Sequence, residues 1–324
     1  MEIYDAIKNF SSQFLFEPII ENEDRLITAT KFIVAGMGGS HLAADLMRTW
    51  NPATNIMIWH DYGAPQFAEE ELRQHLVIIS SYSGNTEETL DVYHSARERG
   101  IPVAAIAAGG TLLDNARRDR IPVVALPTDK IQPRIALGVS FKALLALVRE
   151  PEALEKIREL ATTLQSSGYE EEGRALAQRL RDKIPVIYTS ARNASLGYSW
   201  KIKFNETSKI PAFCNTFPEL NHNEMTGFDR SLSTSPLSEK MHLIMLKDRD
   251  DPPRIKRRMD MTAALLKERG LSTEDVELEG ESVFYKIFSS LILADWASYY
   301  TAMNYRVEPG AVPLVEEFKK RIAS

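Results

Sequence analysis

The sequence has little cysteine and no concentration of positive charge. Its 324 residues include a single cysteine, Cys214, so no disulfide can form within the chain, which is typical of a reducing cytoplasm. The 39 lysine and arginine residues are outnumbered by 45 aspartate and glutamate residues, which gives a formal net charge of −6. Because nucleic-acid-binding proteins need concentrated positive charge, no nucleic-acid partner is expected.

The sequence also lacks apolar runs of membrane-spanning length and clusters of metal-binding residues. The first residues, Met-Glu-Ile-Tyr-Asp, have neither the basic region nor the apolar region of a signal peptide, so we expect a cytoplasmic protein without membrane contact. The six histidines are scattered. His41 and Asp45, four apart on a predicted helix, indicate a contact on the helix surface rather than a metal site. No metal and no cofactor are expected.

What the chain does contain is enough apolar residues, 44%, and enough length for two domains. In the first half, short apolar runs bounded by glycine or proline alternate with helical patterns. Such repeated strand–helix units predict a parallel sheet covered by helices on both faces. The predicted strands are 32–36, 55–60, 76–80, 102–107 and 122–126, and the predicted helices are 40–50, 86–99, 111–118 and 134–149.

A polar region after Pro151 separates this half from a second series of strands and helices. The second series begins with a strand at 184–190 and a helix near 195–206, and the turn between them lacks the glycines of the first half. Further strands are predicted near 210–214 and 241–247, with helices near 252–269 and 282–303. We therefore predict two α/β domains, residues 1–150 and 151–324, of which the second is a degenerate copy of the first.

The most informative stretch is Leu76–Thr89, where an apolar strand is followed by a loop of small hydroxyl residues and then by a helix. The loop contains Ser81, Ser83 and Thr86. Free N–H groups and the positive end of the helix dipole favour an anion at such a helix start. The pattern therefore predicts a site for a monophosphate.

A second turn supports this prediction. The strand at 32–36 ends in Gly36-Met-Gly38-Gly39-Ser40, just before the next predicted helix. The spacing is not that of a P-loop, and His41 and Leu42 stand where the dinucleotide-binding pattern Gly-x-Gly-x-x-Gly would continue. By itself this is also the pattern of an ordinary strand-to-helix turn; together with the hydroxyl loop it favours a phosphosugar site.

Three further motifs carry candidate reactive groups. Arg134 follows Pro133 at a predicted helix start, Glu206 follows Asn205 near a helix end, and His222 lies in Asn221-His222-Asn223-Glu224. A histidine between two amides and near carboxylates suits acid–base chemistry. Each motif also has an ordinary interpretation: a surface arginine, a solvated glutamate and a surface loop. The local sequence leaves both interpretations open.

Taken together and in this order, the five motifs resemble those of the bifunctional phosphoglucose/phosphomannose isomerase family. This resemblance implies two flavodoxin-like, three-layer αβα sugar isomerase (SIS) domains with parallel sheets. It also implies a cytoplasmic, metal-free homodimer that acts in carbohydrate metabolism, in glycolysis or gluconeogenesis. The implied reaction interconverts glucose 6-phosphate or mannose 6-phosphate with fructose 6-phosphate.

The resemblance also implies roles for individual residues. Arg134 matches an arginine near the reacting carbons, and Glu206 matches the base that moves a proton between C1 and C2. His222 matches the histidine that opens the sugar ring, which in the family comes from the neighbouring subunit. The residues that match the phosphate-binding positions are Gly39, Ser40, Ser81, Ser83 and Thr86.

One position departs from the family pattern. Some members use a C-terminal lysine near the ring oxygen, but the predicted helix 282–303 contains only Lys286, near its start, and the matching position is closer to Tyr300. No residue is assigned there.

Two other functions stay open. A non-catalytic SIS regulator would need the phosphate loops but no base, so the pairing of Glu206 with His222 discriminates against it. An amino-sugar isomerase is disfavoured because no glutaminase-type N-terminal cysteine is present, and a zinc-type phosphomannose isomerase because no ligand cluster is evident.

Overall fold

The computed structural model describes residues 2–128, 131–229 and 233–322. The chain forms two compact units: Asn9–Gln165 makes up the first, and Glu2–Lys8 joins Ser166–Ser324 in the second. The boundary predicted between residues 150 and 151 falls earlier than this division. The reason is that the two helices after Pro151 pack against other elements of the first unit.

The strands in the described residues are β1 (Ile20–Glu21), β2 (Lys31–Ala35), β3 (Asn55–Trp59), β4 (Leu76–Ser80), β5 (Val103–Ala107), β6 (Val123–Ala125), β7 (Ile184–Ser190), β8 (Phe213–Phe217), β9 (Met241–Lys247) and β10 (Ser272–Glu277). The α-helices in the same residues are α1 (Ile3–Lys8), α2 (Leu42–Trp50), α3 (Glu69–Leu72), α4 (Glu87–Glu98), α5 (Gly110–Arg118), α6 (Leu137–Leu147), α7 (Pro151–Arg158), α8 (Leu160–Thr163), α9 (Glu170–Arg179), α10 (Ala194–Lys203), α11 (Ser235–Ser238), α12 (Pro253–Glu268), α13 (Val283–Tyr305) and α14 (Pro313–Ile322).

The first unit is built on one sheet with the strand order β1-β6-β5-β4-β2-β3. Strands β2 to β6 are parallel, and the two-residue strand β1 is antiparallel to β6. Every residue of β4 and β5 is buried, as expected for central parallel strands covered by helices on both faces. The five strands predicted for this half are confirmed within one or two residues at each end.

The second unit contains a parallel sheet with the strand order β10-β9-β7-β8. On one face, side chains of β7 and β9 such as Tyr188, Leu243 and Met245 form a core with Leu220 and Phe228. The long helix α13 is buried over most of its length and packs against α9 and α10. The predicted α/β class with parallel sheets is confirmed in both units.

Several elements of the described residues differ from the sequence-based prediction. Strand β8 begins at Phe213, a few residues later than predicted, and neither β10 nor α14 was predicted. Strand β10, Ser-Thr-Glu-Asp-Val-Glu, is an edge strand in which only Val276 is buried, so it lacks the apolar run that marks a strand. In the described residues, no helix combines the length and the apolar character that crossing a membrane requires.

Candidate functional site

Two turns of the first unit meet where β2 and β4 end. These strands are neighbours in the sheet, with Ala35 paired to Ile79, so the segments that follow them leave the same edge side by side. A Cβ atom on Gly36 would lie 2.9 Å from the carbonyl oxygen of Ser80. Only glycine therefore allows the first turn to pass this close to β4, which explains why residue 36 is a glycine.

The hydroxyl loop after β4 is organised by its own side chains. The Oγ of Ser81 lies 3.0 Å from the Oγ1 of Thr86 and accepts a hydrogen bond from the N–H of Gly84 at 3.1 Å. Gly84 has a φ of 69°, a conformation that favours glycine. The Oγ of Ser83 accepts from the N–H of Asn85 at 3.3 Å. Thr86 stands at the N-cap of α4, so the loop presents hydroxyls at the start of a twelve-residue helix.

Hydrogen bonds join the glycine turn to this loop. The Oγ of Ser40 accepts from the N–H of Tyr82 at 3.1 Å, and the Oγ of Ser80 donates to the carbonyl oxygen of Ser40 at 2.6 Å. Ser81 is buried, Ser40 and Thr86 are half-buried, and Ser83 is exposed. The two turns thus form one cradle of hydroxyl and N–H groups, the donor set that a phosphate requires.

Arg134 belongs to a third segment that reaches the same cradle. A Cβ atom on Gly39 would lie 2.9 Å from the backbone nitrogen of Arg134 and 3.0 Å from Pro133, so these backbones are in direct contact. Arg134 is only 1% exposed, which excludes its interpretation as a surface arginine. Its Nη1 donates to the Oε1 of Gln132 at 3.4 Å. The structure therefore brings the predicted phosphate-binding residues and Arg134 together within the first unit.

Gln13, which belongs to none of the sequence motifs, holds the segment that carries Arg134. Its Oε1 accepts from the backbone N–H of Gly138 at 3.0 Å, and its Nε2 donates to the carbonyl oxygen of Ile135 at 3.0 Å. The buried amide thereby satisfies backbone groups at the start of α6. No local signal marks this role, because Gln13 is more than 120 residues away in the sequence.

The pair His41 and Asp45 forms the predicted contact, with 2.5 Å between Nδ1 and Oδ2. It does not lie on the helix surface as predicted, because His41 is only 5% exposed and its ring lies beside that of His60, tilted by 31° with 5.8 Å between centroids. The cause is the position of His41 at the start of α2, in a helix that packs on the sheet. Within residues 2–128, 131–229 and 233–322, no group of three or more potential ligands could hold a metal.

In the second unit, Glu206 lies in a π-helical turn, Phe204–Ser208, that continues α10. The turn ends at Lys209, whose φ is 57° and whose Nζ donates to the carbonyl oxygen of Glu206 at 2.5 Å. Just before the turn, the Nζ of Lys203 lies 2.5 Å from Asp295 of α13, with both side chains buried. The Oγ of Ser208 donates to the carbonyl oxygen of Ser298 at 2.7 Å. These bonds on either side fix the backbone of Glu206 against α13.

Glu206 lines a cavity of about 740 Å³, a volume within the range of small-molecule sites. The other polar residues of its wall are Asn205, Lys209 and Glu308. The apolar residues that line it are Ile210, Pro211, Val307, Ala311, Val312, Pro313, Leu314 and Val315. The interpretation of Glu206 as a solvated helix side chain does not hold, since this side chain is half-buried at a cavity wall.

His222 lies elsewhere in the second unit, in the short 3₁₀ segment Glu219–His222. Its side chain is exposed, and it is not among the described residues that line the cavity beside Glu206. The neighbouring Asn221 donates from Nδ2 to the Oγ1 of Thr262 at 2.8 Å. The structure thus holds the backbone around His222 while leaving the imidazole at the surface.

The ends of β7 and β9 in the second unit carry charged side chains. The Nζ of Lys286 lies 2.6 Å from the Oδ1 of Asp248 and 2.5 Å from the Oδ2 of Asp250. The Nδ2 of Asn193 donates to the Oδ2 of Asp248 at 3.3 Å. Burial acts to raise the pKa of Asp248, but the hydrogen bonds from Lys286, the backbone of Asp250 and Asn193 outweigh it, so the pKa is lowered. Lys286 is therefore held by two carboxylates of the second unit, Asp248 and Asp250.

Comparison with known proteins defines the class first. Residues 169–322 match the family described as "Bacterial phospho-glucose isomerase C-terminal SIS domain". The fold is similar to the solved C-terminal domain of glucosamine-fructose-6-phosphate aminotransferase from Francisella tularensis, with a TM-score of 0.68, 13% identity and coverage of 95% of this chain and 96% of that one. At this identity the similarity concerns the fold alone. The chain is a protein of the SIS class.

Full-length relatives then identify the family. The chain is 32% identical over 330 residues to the bifunctional phosphoglucose/phosphomannose isomerase of Aquifex aeolicus, with coverage of 99% of this chain and 98% of the relative. It is 34% identical over 310 residues to the enzyme of the same name from Caldicellulosiruptor bescii, with 90% and 89% coverage. The chain belongs to the bifunctional phosphoglucose/phosphomannose isomerase family, as the five motifs predicted.

Proposed function

We propose that the chain is an aldose–ketose isomerase that interconverts glucose 6-phosphate and mannose 6-phosphate with fructose 6-phosphate. The observation that carries this proposal is the position of Glu206 at the wall of a cavity, in a chain of this family. A regulator that only binds a phosphosugar has no need for a carboxylate held in this way.

The hydroxyl cradle of the first unit binds the phosphate in this proposal. Ser81, Ser83 and Thr86 would donate hydrogen bonds to its oxygens, together with Ser40 and the backbone N–H groups at the start of α4 and at Gly39. Hydrogen bonds to a charged group contribute about 1.5–3 kcal/mol each, so a few of them hold the sugar without a lysine in the loop.

Glu206 is the proposed base. Its carboxylate takes the proton from C2 of the open-chain aldose. The electron pair of that C–H bond forms the double bond between C1 and C2, and the π pair of the C1 carbonyl moves onto O1. The pair of the C1–C2 double bond then takes the proton back at C1, while the proton on O2 moves to O1 and the pair of the O2–H bond forms the C2 carbonyl, which gives the ketose. Because the enediol is common to the two epimers at C2, one base serves both aldoses. Arg134, which stays protonated, is proposed to stabilise the enediolate charge.

His222 is proposed to open the sugar ring, acting from one subunit of a homodimer on the substrate bound by its partner. Its exposed position on a held turn supports a role at a surface that another subunit covers. We further propose a cytoplasmic enzyme of glycolysis or gluconeogenesis that needs no metal or cofactor.

The test of this function is the exchange of the C2 proton of glucose 6-phosphate with deuterated water, measured by NMR with a chelator present. Glu206→Gln keeps the shape of the side chain but cannot accept a proton, so we expect exchange to fall by about 10²–10⁴-fold. Titration calorimetry should show that glucose 6-phosphate still binds, because the loss falls on the rate and not on the affinity.

A matched control is Glu308→Gln, which removes a second carboxylate from the wall of the same cavity. This variant should exchange the proton at a rate close to that of the wild type. Exchange at the wild-type rate in Glu206→Gln would exclude Glu206 as the base. A wild-type chain that binds the sugar phosphate but exchanges no proton would instead be a regulator, and activity that zinc restores after chelation would contradict the metal-free mechanism.

A further inference from the structure

The segment Glu219–Phe228, which carries His222, is held at both ends and in its middle. Leu220 and Phe228 are buried in the core of the second unit. The Nδ2 of Asn223 donates to the Oε1 of Glu219 at 2.8 Å. An exposed loop would leave the imidazole free to take many positions, whereas this segment is attached to the unit on each side of it.

The strongest attachment is at Glu224, two residues after His222. The hydroxyl of Tyr188 donates to the Oε1 of Glu224 at 2.6 Å, and the Nδ2 of Asn215 donates to its Oε2. Tyr188 lies on β7 and Asn215 on β8, where the two residues are direct partners in the sheet register. Both carboxylate oxygens of Glu224 are therefore held by a rigid pair of adjacent strands.

These contacts concern a residue that the proposed mechanism does not use. Glu224 is half-buried and Tyr188 is 1% exposed, so the pair lies below the surface on which His222 is exposed. Burial first, and then the contact with Glu224, raise the pKa of Tyr188 above its ordinary value. The hydroxyl consequently remains protonated through the neutral range and continues to donate its hydrogen bond.

We propose that Glu224 is a positioning residue for ring opening: held by Tyr188 and Asn215, its carboxylate fixes the backbone turn that presents His222 to the sugar. This inference rests on the proposed function. It assigns a role to the last residue of the motif Asn221-His222-Asn223-Glu224 and explains why a carboxylate stands there. A carboxylate can accept from two donors at once, and neither a glutamine nor a shorter side chain can replace both contacts without rearrangement.

The test separates ring opening from proton transfer at C2. The α and β anomers of glucose 6-phosphate interconvert through the open chain, so NMR exchange spectroscopy on the anomeric protons measures catalysed ring opening directly. Glu224→Gln turns one acceptor into a donor that faces Asn215. We expect catalysed anomerisation to fall about 10- to 100-fold, the range that follows from a displacement of about 1 Å. Tyr188→Phe, a milder change, should lower it less.

A double-mutant cycle that combines Glu224→Gln with His222→Ala distinguishes the positioning of His222 from a general effect on folding. If Glu224 acts through His222, Glu224→Gln should cause no further loss of anomerisation once His222 has been removed. The matched control is Glu274→Gln, in which a partly buried carboxylate of the same unit, bonded to Arg179 and His242, loses its charge. It should lower thermal stability about as much as Glu224→Gln but leave anomerisation unchanged.

Wild-type anomerisation in both Glu224→Gln and Tyr188→Phe would overturn the positioning role, as would a further loss in the His222→Ala background as large as the loss in the wild type. A chain that isomerises neither aldose phosphate would overturn the proposed function itself. The two failures are distinguishable, because the first requires an active wild-type enzyme that His222→Ala impairs.

Discussion

The two units place different side chains on the same local structure, a strand followed by a turn and a helix. In the first unit, the segments after the adjacent strands β2 and β4 carry hydroxyl and N–H groups that bond to one another, with no carboxylate in 36–40 or 81–86. In the second unit, the segment after β9, a neighbour of β7, carries Asp248, Asp250 and Asp251, and Lys286 is bound to two of these carboxylates. A phosphate is attracted by the first arrangement and repelled by the carboxylates of the second. The side chains at the strand ends, and not the strand–turn–helix geometry alone, therefore decide whether the turn suits an anion.

The largest expected effect comes from disturbing the loop geometry of the first unit. A Cβ atom on Gly84 would lie 1.8 Å from the carbonyl oxygen of Gly109, and the φ of Gly84 is 69°. Gly84→Ala should therefore cost about 3–5 kcal/mol of unfolding free energy and abolish phosphosugar binding. Gly100, with a φ of 64° and nothing within 4 Å of an added Cβ, is the matched control. Gly100→Ala should cost about 1–2 kcal/mol, for the backbone strain alone.

Urea unfolding followed by circular dichroism measures both costs, and titration calorimetry with fructose 6-phosphate measures binding. Equal costs for the two variants would show that the contact with Gly109 does not constrain the loop.

The next prediction compares hydroxyl residues near the ends of two strands, β4 in the first unit and β7 in the second. Ser81→Ala and Thr86→Ala should each weaken the binding of glucose 6-phosphate by about 1–3 kcal/mol, because each removes a hydroxyl donor to the charged phosphate. Ser190→Ala, at the end of β7, should leave the affinity unchanged. Titration calorimetry on the three variants provides the comparison. If Ser190→Ala weakened binding as much as Ser81→Ala, the second unit would also hold an anion.

The smallest expected effect concerns Asp251, which is 2% exposed and lies beside Ser190 and Asp248. Burial, together with the charge of Asp248, raises its pKa above the ordinary value. A raised pKa in the folded state favours folding while the group is protonated, and this contribution is lost as the pH rises through that pKa. At pH 7 the ionised carboxylate therefore opposes folding.

Asp251→Asn should stabilise the protein at pH 7, because the amide has no charge that burial would disfavour. Near pH 3 the wild-type carboxyl is protonated, so the gain should disappear. Denaturant unfolding at the two pH values measures this difference, and an unchanged stability at pH 7 would show that the carboxylate is solvated or paired.

The parts of the fold that follow from the sequence are those with a strong local pattern. Strand β5 is apolar throughout and β4 is apolar up to its last residue, Ser80; a turn with serine or glycine follows each, so their positions are evident from the residues alone. Strand β1, with two half-buried residues, and the polar edge strand β10 carry no such pattern. The start of the chain is equally irregular, since α1 covers only Ile3–Lys8 and is followed by a 3₁₀ helix, Phe10–Leu15.

The residues of the candidate site also fall into those that a local sequence pattern marks and those that it does not. The hydroxyl loop is recognisable because its residues are contiguous, and the roles of Arg134, Glu206 and His222 came from the resemblance to a family. The supporting contacts could not be predicted, because they join residues far apart in the chain. Gln13 and Ile135 are 122 positions apart, and Tyr188 and Glu224 are 36 apart. Such pairs depend on how the sheets bring distant segments together.

The π-helical turn at Phe204–Ser208 has a consequence for how this helix can change in evolution. A π turn contains an additional residue, and each residue of an α-helix advances by about 100° around the axis. The loss of the codon for Phe204, which does not line the cavity, would return the helix to regular winding and rotate the carboxylate of Glu206 away from the cavity, with every amino acid of the wall unchanged. Homologous chains should therefore keep the length of this helix as strictly as they keep the glutamate.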